Sequence, residues 1–197
     1  MKRRFLPMLL LAVLGLAGGA SANAQTQIAT ADDFVAFAAA VNGGQTDLDA
    51  QLTADIVLTD NTMVGTSSNK YAGTFDGKGH SITYNYTVGF DYGGLFSYTD
   101  GATIKNLRVE GTAVVTKIHF GALLGRVSGT NLIENVITNV DITGTSGTGV
   151  QGDGGMLGAN YADNITFNNC ATLGKMGHEG FDTSPCLCLF IRTAWRW

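Results

Sequence analysis

Gly93-Gly94-Leu95-Phe96-Ser97, closed by Ile104-Lys105-Asn106-Leu107, is a pattern that returns twice along the chain. Gly121-Ala122-Leu123-Leu124-Gly125 leads to Ile133-Glu134-Asn135-Val136, and Gly154-Gly155-Met156-Leu157-Gly158 leads to Phe167-Asn168-Asn169-Cys170. The spacing is 28 residues from Gly94 to Ala122 (122 − 94) and 33 from Ala122 to Gly155 (155 − 122). Repeats of about 20–50 residues mark stacked architectures, in which each unit buries its apolar face only against its neighbours. No helical periodicity separates the units, so the expected class is all-β: a parallel β-helix, or solenoid, whose equivalent strands pair along the axis.

That geometry assigns positions. Leu95, Leu123 and Met156 form one inward column, and Leu107, Val136 and Cys170 another. Asn106, Asn135 and Asn169 fall at one corner, where amides that both donate and accept can bond up the stack. Cys170 therefore reads as a small core hydrophobe. Its two companions, Cys186 and Cys188, are too close to bridge each other comfortably, and a bridge from Cys170 to either stays open by spacing.

The flanks read differently. Lys2, Arg3 and Arg4, the apolar run Met8–Leu16 and Ala22-Asn23-Ala24 make residues 1–24 a signal peptide, so the protein is expected to be secreted or held at the cell surface. Without those residues, nine Lys and Arg remain against 16 Asp and Glu, a net charge of 9 − 16 = −7. Such an acidic surface disfavours nucleic acid, and no later segment is apolar enough for membrane insertion after signal removal. Residues 25–174 are the expected β-helix domain. It opens with a helical cap over about 30–43: Thr30-Ala31-Asp32-Asp33 is a capping box, Phe34, Phe37, Ala38 and Val41 form one apolar stripe, and Asn42-Gly43-Gly44 stops the helix. Asp76-Gly77-Lys78-Gly79 is a sharp corner between two short strands. After Gly174 the pattern fails, so 175–197 reads as an irregular tail, either truncated or out of frame, or else a C-terminal cap built on Leu187, Leu189, Phe190 and Ile191.

Gly73-Thr74-Phe75-Asp76-Gly77-Lys78-Gly79-His80-Ser81-Ile82, with Gly94-Leu95-Phe96 and Ile104-Lys105-Asn106-Leu107, resembles the GLUG-motif repeat proteins over roughly Thr30 to Leu173. Those are exported bacterial proteins, many of them adhesin-like and at the cell surface. The resemblance implies a right-handed turn of the β-helix and a bacterial, exported setting; it implies no reaction.

Motifs for nucleophilic hydrolysis, zinc proteolysis, phosphate binding and dinucleotide binding are missing, and Gly152-Asp153-Gly154-Gly155 does not fit a calcium-binding nonapeptide. No catalytic, cofactor or metal residues are assigned. Asp76, His80, Asp91, Asp100, Glu134 and Asp141 are the side chains from which an acid and a base could come, with Asp76 and His80 the nearest to a pair. In the simpler reading, Asp76 bonds the turn and His80 lies on the surface. Tyr84, Tyr86, Phe90, Tyr92 and Tyr98 are either core, as the alternation from Ile82 to Val88 suggests for the first two, or an exposed aromatic face. The expectation is a non-catalytic β-helix presenting a rigid face for adhesion, its partner a glycan or a host or cell-surface protein. The alternatives are a carbohydrate-active β-helix enzyme (polysaccharide lyase or glycoside hydrolase), or a fragment of one, and a structural spacer of a larger surface protein.

Overall fold

A computed structural model describes residues 25–144 and 153–178, together with three short strands beyond them. The signal-peptide reading of residues 1–24 lies outside the described residues. The elements run in order β1 (Thr26–Ile28), α1 (Ala31–Asn42), β2 (Ala50–Leu52), β3 (Ile56–Leu58), β4 (Thr74–Asp76) and β5 (Ser81–Val88). They continue with β6 (Phe96–Asp100), β7 (Thr103–Val115), β8 (Leu124–Gly144), β9 (Leu157–Asn168), β10 (Cys170–Thr172) and β11 (Lys175–His178).

All of these strands join one sheet system that winds as a parallel β-solenoid of about 4 turns with the helix at its N-terminal end. Three faces repeat. The first stacks β1, β2, β4, the start of β7, the middle of β8 and the end of β9, so that Phe75, Ile104, Ile133 and Phe167 register as an inward column. The second stacks β3, β5 and the later parts of β7 and β8, then β10 and β11. The third stacks β6 and the starts of β8 and β9. Parallel pairing thus reaches His178, a few residues past the point where the sequence pattern fails.

Both anticipated columns are buried: Leu95, Leu123 and Met156, then Leu107, Val136 and Cys170. The asparagine ladder is also present. Asn169 donates Nδ2–H to Asn135 Oδ1 (2.8 Å), Asn135 to Asn106 Oδ1 (3.0 Å), and Asn106 to Asp76 Oδ1 (2.9 Å). The three asparagines have φ of 54°, 53° and 50°, the left-handed region that asparagine tolerates better than other non-glycine residues. One residue type therefore makes the corner and links it to the corners above and below. Cys170 is a free buried thiol with Sγ 3.4 Å from Ile133 O, so the bridge left open by spacing is not made.

The cap forms as its sequence dictates. Thr30 Oγ1 accepts from Asp33 N, while Asp33 Oδ2 accepts from the backbone N–H groups of Ala29 and Thr30, which hold that carboxyl below its ordinary pKa. Phe34, Phe37, Ala38 and Val41 are buried, and Phe34 and Phe37 meet Phe75 and Tyr71 edge-on or tilted. This aromatic plug closes the first coil, which would otherwise expose both its core and its strand edge. At the far end, β12 (Ser184–Pro185), β13 (Cys188–Phe190) and β14 (Thr193–Trp195) pair antiparallel with β11, β10 and β9. These three strands therefore run back along the last coil and pair with its edge, while Leu187 and Ile191 of the expected cap lie outside the described residues.

Candidate functional site

The candidate acid/base residues do not converge. Asp76 and His80 form no pair: His80 Nδ1 lies 3.3 Å from Asp55 Oδ1, while Asp76 Oδ1 accepts from Lys78 N at 2.9 Å and caps the asparagine ladder. Asp76 Oδ2 is 3.2 Å from Lys78 Nζ and 3.7 Å from Lys105 Nζ. Burial pushes this carboxyl's pKa up, but the hydrogen bonds from Asn106 and Lys78 and the Lys78 charge outweigh it and hold the group below its ordinary value. Asp76, Lys105 and Glu134 then register in consecutive coils, a column of alternating charge on the outside of the first face. Asp91 and Asp141 each accept a backbone N–H from the following coil, from Ile118 and Lys175, and Asp100 pairs with Lys70 at 3.2 Å. Asp76, His80, Asp91, Asp100 and Asp141 thus each tie coils or turns together, while Glu134 only registers beside Lys105. Among the described residues no group of three or more His, Cys, Asp or Glu is placed to hold a metal ion.

The aromatic run divides. Tyr84 and Tyr86 stack inside the core with ring centroids 4.0 Å apart; Tyr84 Oη donates to Ala122 O and Tyr86 Oη to Thr62 O. Burial pushes both phenols well above the ordinary tyrosine range. Phe90 is exposed, and Tyr92 and Tyr98 are half-buried at the edge of the third face.

Tyr92 and Tyr98 belong to a larger cluster. Tyr92 stacks on His119 of the next coil, with centroids 5.1 Å apart and planes 8° from parallel. It meets Tyr98 at 5.8 Å and Tyr161, two coils on, at 6.3 Å edge-to-face. The Arg126 guanidinium lies 4.2 Å from the Tyr161 ring centroid and 5.2 Å from that of Tyr92. A hydrogen bond with Tyr161 Oη, 3.5 Å away, heads the causes that raise the Tyr92 pKa. Sequence reading reached Tyr92 and Tyr98 but missed His119, Arg126 and Tyr161. The available signal was the repeat itself, since Tyr98 and Arg126 occupy the same outward position of consecutive coils.

The glycines of the repeat build this site. Tyr92 and His119 both have positive φ, 64° and 65°, and turn the chain onto the third face. Gly125 and Gly158 let the strands run against those turns. A Cβ on Gly125 would lie 2.6 Å from the Tyr92 carbonyl carbon, and one on Gly158 would lie 2.5 Å from that of His119. The Gly at the end of Gly-Ala-Leu-Leu-Gly therefore presses a strand against the turn that carries a site aromatic. Beside the cluster, a cleft of about 530 Å³ runs between α1, residues 61–67, Phe90 and Tyr98.

The architecture and this cluster define the class: a helix-capped parallel β-solenoid with an aromatic and cationic patch on its third face. No family model, curated protein or solved structure matches the chain.

Proposed function

We propose that the protein is an exported, non-catalytic β-solenoid that binds glycans through the patch of Tyr92, Tyr98, His119, Arg126 and Tyr161. The observation that carries this reading is the placement of these rings. They span three successive coils, and Tyr161 keeps 53% of its surface in water although Arg126 already covers part of it. Aromatic faces that remain accessible at a rigid surface stack against the apolar faces of sugar rings. Rigidity matters, because a preformed platform loses little conformational entropy when it binds. Four of the five candidate carboxylates, Asp76, Asp91, Asp100 and Asp141, are engaged in corner, turn or inter-coil contacts, which favours binding over hydrolysis.

Export rests on the Lys2-Arg3-Arg4 start, the apolar run and Ala22-Asn23-Ala24. The resemblance to GLUG-motif proteins supports the same setting and a place at the bacterial surface. Among the described residues, no helix is long and apolar enough to cross a membrane. A glycan array combined with product analysis tests the reading. Retention without new reducing ends supports binding; depolymerisation reveals an enzyme, and failure to retain any glycan leaves a structural spacer.

A further inference from the structure

We infer that the glycan is acidic, with a sugar carboxylate seated on Arg126 and the ring of that uronic acid lying against Tyr161; this rests on the glycan-binding reading above. The described residues carry their positive charge in three settings. Lys70, Lys78, Lys105 and Arg108 each stand in an ion pair with an Asp or Glu. Lys117 and Lys175 have no ion pair among the described residues, but both are exposed and water solvates them. Arg126 differs from both groups. It is half-buried between two tyrosines, its Nε is fully buried without a hydrogen-bond partner, and no carboxylate among the described residues pairs with it.

A guanidinium stays charged at every physiological pH, so its partial removal from water calls for a counter-charge. The sequence holds 16 acidic residues against 12 basic ones, and the described fold still gives Arg126 none of them. The rings on which it rests restrain the guanidinium plane. A restrained guanidinium presents a planar fork of N–H donors, the geometry that a carboxylate fills with two parallel hydrogen bonds. Tyr161 stays more than half exposed next to Arg126, so a sugar packed against the free part of this side chain lies near the guanidinium.

The charge around the patch narrows the ligand further. Asp91 and Asp163 are both exposed and close in sequence to Tyr92 and Tyr161, and negative charge there disfavours polymers with more than one charge per sugar, such as heavily sulfated glycans. A uronic-acid chain carries only one charge per sugar. Coils repeat about every 4.8 Å along the axis, comparable to the advance of a linked pyranose chain. A glycan crossing the coils obliquely, from Tyr98 over Arg126 to Tyr161 two residues along the next strand, therefore meets one of these side chains per coil.

The test measures binding of the purified chain to oligogalacturonate, to its methyl ester, to a neutral xylo-oligosaccharide and to a sulfated oligosaccharide, by titration calorimetry. The expected result is binding of the oligouronate about 10- to 100-fold tighter than of its ester or the neutral sugar, the range for loss of a charge-assisted pair. Arg126→Gln should lose that preference, and added salt should weaken only the acid form. Comparing acid with ester uses the wild-type protein, so the test survives a variant that folds poorly. Equal binding of acid and ester, or preference for the sulfated ligand, overturns the carboxylate assignment while glycan binding stands. If no glycan binds, both readings fall.

Discussion

Replacing Gly125 by Ala adds one methyl group at a place where the structure has no room for it. The new Cβ would sit 2.6 Å from the Tyr92 carbonyl carbon and 2.7 Å from Ser97 O, with Tyr92 O nearer still. Ordinary contacts between such atoms begin near about 3.3 Å, and the obstructing atoms are backbone, so no rotamer change relieves the clash. The turn at Tyr92 must lift away. Lifting it endangers the bonds Tyr92 N–H to Ile118 O (3.1 Å), Gly121 N–H to Gly93 O (3.0 Å) and Ser97 Oγ–H to Tyr92 O (2.7 Å). Three hydrogen bonds at about 0.5–1.5 kcal/mol each, with a ring stack of about 0.5–1.5, give a loss of roughly 2–6 kcal/mol. Gly89→Ala is the matched control: its Cβ would meet only Thr116 Oγ1 at 3.8 Å, and its backbone is not left-handed. That variant should equal wild type or gain up to about 1 kcal/mol from a stiffer unfolded chain. Urea unfolding followed by far-UV circular dichroism compares the three proteins. A Gly125→Ala midpoint as high as that of Gly89→Ala would refute the account of why the repeat ends in glycine. The same variant should also weaken glycan binding, since it moves Tyr92.

Asn135→Ala breaks two links of the amide ladder and forces alanine to φ 53°; at about 0.5–1.5 kcal/mol per bond and 1–2 for the backbone, urea titration should show a loss of roughly 2–5 kcal/mol. Asp76→Asn tests the acid end of that ladder. The carboxyl's folded pKa lies below its unfolded value of about 3.9, so its contribution is present above that value and disappears as pH falls through the folded pKa. Wild type should therefore lose stability between neutral and strongly acidic pH more steeply than Asp76→Asn, and parallel urea midpoints across that range would contradict the pairing. Cys170 is buried, and burial raises its thiol pKa; peptide mapping after iodoacetamide treatment should find it unmodified in the native protein and modified after denaturation.

The solenoid was legible because a repeat converts sequence position into spatial position. Once Gly94, Ala122 and Gly155 are aligned, Leu107, Val136 and Cys170 must share a column, and the structure buries all three. The helix was legible for a local reason: capping box, apolar stripe and stop all lie within one short segment. Side chains that point outward carry no such constraint. Asp76 and His80 are neighbours in the sequence, but the turn between them sends His80 to Asp55 of the preceding coil. The tail was the least legible part, because its strands run antiparallel to the coils they cover and so break the repeat on which the reading depended.

By itself the sequence determined the repeat, its inward columns, the asparagine corner and the helical plug, because each follows from spacing along one chain. The tertiary structure decided the patch. Tyr92, His119, Arg126 and Tyr161 come from three coils and meet only through strand register and the close approach that Gly125 and Gly158 permit. Contacts between coils depend on loop lengths and on turns at positive φ, and neither quantity is written in the periodicity that announces the fold.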